Sequence, residues 1–174
     1  MNSRFYYPLN TGSLGEPRRT RNFMYSIEHR PSAHFDVAHT KAPRSQATKP
    51  AILVVEDDFG SLAALKSILS TKGYRVLEAA DGEEALAVVE TTKLDLILLD
   101  LQLPNLDGFG VVHRLRENAN FENLPIVMMT AYEPEKSRGT AIAAGCYDFL
   151  PKPLDFDLLD AVLDQLVPLR PVLL

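Results

Sequence analysis

Five residues of types that handle phosphoryl groups or metal ions stand where apolar runs stop. Glu56 and Asp57 follow AILVV at 51–55, Asp100 ends the run at 96–99, Thr130 ends IVMM at 126–129, and Lys152 lies just past 147–150. Three carboxylates drawn together repel, and each raises the others' pKa unless positive charge intervenes. All-oxygen ligation suits a hard cation, Mg²⁺ or else Mn²⁺, and no His or Cys stands nearby to recruit zinc. Lys152 supplies a second, mobile positive charge. A cation, an ammonium and a hydroxyl around one carboxylate form a site for a phosphoryl group in transfer, where the catalyst mainly positions and neutralises charge. Asp100 is then the nucleophile that becomes an acyl phosphate.

These residues can meet only if the elements carrying them end on one edge. Apolar residues at consecutive positions, as in AILVV and LILL, do not fit a strand with one wet face, so both runs read as strands covered on both sides, as parallel strands are. Strands are expected at 51–55, 74–79, 95–100, 126–130 and 147–150. Between them lie helices: one with Leu62, Leu65, Ile68 and Leu69 on one face and Gly73 as its stop, one opened by Asp81 with Glu84 as a capping box, one marked by Phe109, Val112 and Leu115, one from Pro134 to Gly145, and a last one stopped by Pro168. Alternation of five strands with five helices implies right-handed crossovers and a doubly wound, flavodoxin-like (βα)5 three-layer sandwich around a parallel sheet. In such sheets ligands bind beyond the carboxyl ends of the strands.

Of 174 residues, 46% are hydrophobic and 24% charged, which fits one full domain and leaves no room for a second large one. Residues 1–50 hold six Arg and two Lys against three acids, carry five prolines and show no sustained period, so they read as a basic, mostly disordered extension. Residues 51–174 hold ten basic and twenty acidic residues. Such a body repels phosphate backbones, which argues against nucleic-acid binding by the domain. The basic extension could touch an anionic surface or partner, and Met24 offers a later translation start. His29, His34 and His39 lack Cys or acid partners at ligand spacing and read as solvated residues. A lone Cys146 permits no internal disulfide. With no apolar run near the roughly 18 residues of a membrane span and no signal-peptide segment, the expected location is cytoplasmic.

Val54-Val55-Glu56-Asp57-Asp58, Asp100 with Pro104-Asn105-Leu106-Asp107-Gly108, Thr130-Ala131 and Lys152-Pro153 together resemble the receiver domain of two-component response regulators. Asp57 to Asp100 is 43 residues, Asp100 to Thr130 is 30 and Asp100 to Lys152 is 52, intervals that also fit the family. The likeness covers residues 51 to about 168, the receiver domain is placed at 51–170, and the type is a stand-alone receiver. It implies Asp100 as phosphoacceptor, Asp57 as direct metal ligand, Glu56 acting mainly through water, and the Gln102 carbonyl as the third protein ligand. It further implies Thr130 as the switch hydroxyl, Lys152 as the holder of a phosphoryl oxygen with a cis bond to Pro153, and Gln102 and Tyr132 as the pair that tunes phosphoryl lifetime. Phe149 stands where the family often has tyrosine, so a hydroxyl-based signal of activation is lost while ring rotation is retained.

The resemblance implies a phosphoryl-accepting switch, not an enzyme acting on an external substrate, although it assists its own phosphorylation and dephosphorylation. Its donor would be a histidine kinase or a histidine phosphotransfer protein. A downstream protein would bind the face of the fourth helix, fifth strand and fifth helix, and a homodimer is compatible with the sequence. Two other readings stay open: a Mg²⁺-dependent Asp-nucleophile phosphohydrolase, weakened by Gln102 where a second acid is usual, and a phosphorylation-independent adaptor. Asp58, Asp81 and Asp107 read first as helix caps, His113 as a half-exposed, inert side chain, and Cys146 as a small buried hydrophobe.

Overall fold

The computed structural model of the chain describes residues 5–7, 23–25, 49–131 and 134–169. The chain divides into two units, Met1–Lys41 and Ala42–Leu174. In the first, β1 (Phe5–Tyr7) pairs antiparallel with β2 (Phe23–Tyr25), a pairing the sequence pattern does not announce. The expectation of disorder, His29, His34 and His39 otherwise lie outside the described residues.

The second unit alternates strands and helices: β3 (Ala51–Val55), α1 (Phe59–Lys72), β4 (Arg75–Ala79), α2 (Gly82–Thr91), β5 (Leu96–Asp100), α3 (Gly108–Glu117), β6 (Ile126–Thr130), α4 (Pro134–Ala144), β7 (Asp148–Pro151) and α5 (Phe156–Leu166). All five strands are parallel, in the order β4-β3-β5-β6-β7. This is the doubly wound flavodoxin-like sandwich that the alternation implies. β3, β5 and β6 are buried at every position, whereas the edge strand β4 is exposed at Arg75 and only partly buried at its next three residues.

Alternation along the strands divides the core. Leu53, Val55, Ile97, Leu99, Ile126, Met128 and Phe149 join one cluster with Ala85 and Val89 of α2, Val111, Val112 and Leu115 of α3 and Ala141 of α4. The intervening residues Ile52, Val54, Leu96, Leu98, Val127 and Met129 point to the opposite face. α1 and α5 bury Leu65, Leu69, Leu158, Leu159, Val162 and Leu163, none of them in that cluster, and a Lys72–Asp160 ion pair of 2.6 Å ties these two helices together.

Caps fix where the helices start. Asp58, Asp81, Asp107 and Asp155 each accept backbone N–H bonds at the first turn of α1, α2, α3 and α5. Glu84 completes its box one residue further out than the usual form, accepting from Ala80 N at 2.8 Å. Gly73, at φ 107°, closes α1, and the next N–H, of Tyr74, goes to Leu69 O, so Tyr74 belongs to the helix stop and β4 begins one residue later than the sequence pattern implies. Asp95 also precedes its strand; its Oδ2 accepts from Ala51 N at 2.8 Å and secures the start of β3. Among the described residues no helix is long and apolar enough to cross a membrane.

His113 is exposed, with Nδ1 3.5 Å from Glu117 Oε2. Cys146 is buried beside Arg116, whose guanidinium donates to the carbonyls of Gly145, Phe121 and Leu124 at 3.0, 2.7 and 2.9 Å. Burial pushes the Cys146 thiol up to about 12, with Arg116 pulling the other way. The thiolate is the reactive form, so at pH 8 only about one molecule in ten thousand carries it. Native protein at pH 8 should therefore leave Cys146 unmodified by a thiol-specific disulfide reagent while the urea-unfolded chain reacts to completion; rapid labelling of the folded chain would contradict this burial.

Candidate functional site: an acidic pocket closed by one lysine

The strand order reverses at β3: β4 lies on one side of it and β5 on the other. That switch point opens a crevice beyond the carboxyl ends of the two strands, and the chain places its acids there. Glu56 directly follows β3, its N–H bonded to Ala79 O at 3.1 Å, so the ladder with β4 runs one residue past the strand. Asp57 comes next and is exposed. Asp100 is the last residue of β5, and Leu101 N bonded to Met129 O holds the strand end against β6. Thr130 closes β6 opposite Pro151, and Lys152 N donates to Thr130 O at 2.8 Å. The ladder thus brings the base of the lysine to the edge where the acids stand.

Lys152 Nζ reaches across to Glu56 Oε2 at 2.6 Å and Asp100 Oδ2 at 2.5 Å. The other Asp100 oxygen, Oδ1, accepts from Gln102 N at 3.0 Å. Both oxygens of Asp100 are therefore held, one by an ammonium and one by a backbone amide, and its side chain cannot turn freely. Glu56 and Asp100 are 2% and 5% exposed, and Thr130 is fully buried. The Lys152–Pro153 bond is cis, as the family resemblance implies.

Burial holds the Glu56 carboxyl above its usual range, and the Lys152 hydrogen bond offsets this only in part. For Lys152 burial pulls downward, but the hydrogen bonds to Asp100 and Glu56 outweigh it, so its pKa is raised and the ammonium is charged at neutral pH. Oxygens of Glu56, Asp57 and Asp100 all lie within 4.8 Å of one another. Lys152 pairs with two of these three acids and brings one positive charge, which leaves the cluster of oxygen donors short of positive charge. That donor set fits a hard divalent cation, and among the described residues it is the one group of acids, His or Cys placed to hold one.

Sequence reasoning placed Glu56, Asp57, Asp100, Thr130 and Lys152 at strand ends, and the structure brings them to one edge. Gln102 enters through its amide. Phe149 is fully buried in the cluster shared with α3 and α4. Tyr132 lies outside the described residues. What the sequence did not reveal is how tightly the loop after β5 is packed. A Cβ on Gly108 would stand 2.5 Å from Asp100 O and 2.9 Å from Leu101 Cα, so only glycine lets α3 begin directly against the strand end. Asn105, at φ 64°, takes the left-handed turn the loop needs.

Residues 52–164 match the family model described as "Response regulator receiver domain". The chain belongs to that family. It is 39% identical over 113 residues to the probable transcriptional regulator ycf27 of Porphyridium aerugineum, covering 65% of this chain and 46% of that protein. The chain spans about half the length of the curated relatives it matches. Among solved structures it resembles the receiver domain of the sensor histidine kinase PA1611 of Pseudomonas aeruginosa, described with a magnesium ion coordinated in its active-site cleft. That likeness has a TM-score of 0.63 and 33% identity, and covers 68% of this chain and 98% of that one. It also resembles the receiver domain of Saccharomyces cerevisiae Ssk1, solved with the histidine phosphotransfer protein Ypd1: TM-score 0.64, 28% identity, 68% and 88% coverage.

The ion-pair geometry of this receiver domain carries a direct expectation for stability. Removing one partner of a buried pair leaves the other charges uncompensated. In metal-free buffer at pH 7.5, Lys152→Met should lose about 2–4 kcal/mol in urea unfolding, and adding Glu56→Gln should restore about 1 kcal/mol or more. Because the folded-state pKa of Lys152 is raised, its contribution is fully present below pH 10.5 and is lost only as pH climbs through the higher folded value. The difference between wild type and Lys152→Met should stay flat from pH 7 to 9; a difference that collapses in that interval would contradict a charged Lys152.

Proposed function

We propose that this chain is a phosphoryl-accepting switch of a two-component phosphorelay, taking a phosphoryl group from a phosphohistidine onto Asp100 and signalling through protein contacts. The observation that carries the reading is the convergence of Asp100, Lys152 and the acids of β3 in one pocket. The family supplies the donor class, and the neighbour solved with a phosphotransfer protein is consistent with it.

An Asp100 oxygen attacks the phosphorus of the phosphoramidate in line with the departing imidazole nitrogen. The O–P bond forms, the N–P bond breaks, and the imidazole departs as a neutral ring that takes the N–P electron pair and keeps the proton its other nitrogen already carries. The Gln102 amide on Oδ1 keeps the carboxylate oriented. Lys152, already on Oδ2, is placed to follow the charge onto a phosphoryl oxygen. Mg²⁺ held by Asp57, Asp100, the Gln102 carbonyl and, through water, Glu56 would neutralise the charge of the transferring group. Thr130, at the end of β6, would donate its hydroxyl to the new phosphoryl group. Phe149, a β7 residue buried in the cluster with α3 and α4, would turn with it and alter the face of α4, β7 and α5 that a downstream protein reads. By its chemistry the chain is a phosphoacceptor and not a turnover enzyme, and it would act in the cytoplasm.

Incubation with Mg²⁺ and a small acyl-phosphate donor, followed by intact mass, should show gain of one phosphoryl group. Gain should vanish with EDTA and in Asp100→Asn. Continuous hydrolysis of phosphomonoesters would instead indicate a phosphohydrolase, and no gain from any donor, cognate kinases included, an adaptor. The bulk of Tyr132, two residues past Thr130, is expected to hinder the hydrolytic water. Tyr132→Ala should shorten the half-life of the phosphorylated protein by about threefold or more; an unchanged half-life removes that role.

A further inference from the structure

Glycine near the start of a helix costs conformational entropy that alanine would not, so its presence at Gly82, the first residue of α2, needs a reason. Gly82 is buried. A Cβ there would stand 2.4 Å from the carbonyl oxygen of Leu106, 2.9 Å from Leu106 Cβ and 2.8 Å from Val111 Cγ2. The first of these is backbone and has no side-chain freedom with which to yield. Leu106 belongs to the loop that leads from Asp100 to α3 and carries Gln102 near its beginning.

That loop is held at two points by missing side chains. At Leu106 it lies on Gly82; two residues on, Gly108, the first residue of α3, sits against Asp100, where a Cβ would be 2.5 Å from Asp100 O. Gly108 N donates to Leu101 O at 2.9 Å and Leu106 N to Pro104 O at 2.7 Å, so the segment is short and closed on itself. α2 cannot withdraw to make room. Its first turn is capped by Asp81, whose Oδ2 also faces Asn105 Nδ2 at 3.5 Å; Glu83 pairs with Arg114 of α3 at 2.8 Å; and Ala85 and Val89 are locked in the core. A group added at position 82 must therefore press on the Leu106 carbonyl. The pressure passes within two residues to Gly108, and so to the Asp100 backbone and the amide of Gln102.

We propose that Gly82, on a helix that gives no side chain to the acidic pocket, is a positioning residue for the phosphoacceptor. By leaving space for Leu106 it fixes the Asp100 strand end and the Gln102 N–H on Asp100 Oδ1. This rests on the assignment of Asp100 as phosphoacceptor.

The test measures phosphoryl incorporation from a small acyl-phosphate donor at saturating Mg²⁺, together with amide ¹H–¹⁵N shifts, in wild type, Gly82→Ala, Leu106→Ala and Val89→Ala. Val89→Ala truncates a buried side chain of the same helix, seven residues along from Gly82. Gly82→Ala should remain folded, incorporate phosphoryl at least tenfold more slowly, and shift the amides of Asp100, Gln102 and Gly108. Leu106→Ala, which slackens the same contact without adding atoms, should also slow incorporation and move those amides. Val89→Ala should lower Tm yet stay within twofold of the wild-type rate with those amides in place. A folded Gly82→Ala within twofold of wild type, or a Val89→Ala that slows as much, overturns the proposal. Should Gly82→Ala fail to fold, Leu106→Ala decides, and a rate within twofold overturns it. A wild type that takes up no phosphoryl counts against the proposed function; the amide shifts then still decide the positioning, and their absence ends it.

Discussion

Everything at this site depends on holding negative charges closer together than they would choose to stand. Oxygens of Glu56, Asp57 and Asp100 share a volume in which they lie within 4.8 Å of one another, and two of the three residues are buried. In water such a cluster would disperse. Here the carboxylates are fixed to the ends of two adjacent parallel strands whose backbone ladders and covered faces leave the side chains little room to separate. A single ammonium, from Lys152, offsets part of the repulsion. The sheet thus holds the acids together, and their residual negative charge favours a cation at this edge.

The frame that holds them together is apolar. β3, β5 and β6 are buried along their whole length, with α2, α3 and α4 packed against one face and α1 and α5 left to cover the other. Such packing has little compliance, so the strand ends are stiff while the loops beyond them carry the chemistry. The loop after β5 is the exception among loops. It is pressed between Gly82 and Gly108 and bonded to itself, and it gives Asp100 its backbone hydrogen bond through Gln102. Stiffness there, like stiffness in the strands, keeps the Asp100 carboxylate already oriented.

In this structure Glu56 and Asp100 are both paired with Lys152. Lys152 and Thr130 are in turn joined by backbone hydrogen bonding at the ends of β6 and β7. Phe149, three residues before Lys152, is buried against the α3 and α4 side. The relatives that the chain resembles over about half their length attach this same module to further sequence. On the proposed function, the module would convert a charge change at one edge of a sheet into a packing change on its flank.

Much of this was legible in the linear order of residues. Runs such as AILVV and LILLD can be buried on both sides only in a parallel sheet, Asp58, Asp81 and Asp107 announce helix starts because their carboxylates satisfy orphan N–H groups, and the acids, threonine and lysine stand where those runs stop. Strand edges were less legible: Tyr74 and Asp95 read as strand residues but spend their hydrogen bonds on a helix stop and on the start of β3. The β1–β2 pairing has no periodic signal over three residues each and was invisible. Periodicity and residue type are local properties, so the sequence by itself determined which elements form and which end of each bears chemistry. Which oxygen Lys152 grips, that Gln102 holds the other, and that Gly82 is empty because a carbonyl from another element occupies its space are distances between residues remote along the chain, and those arise only when the helices and strands close on one another.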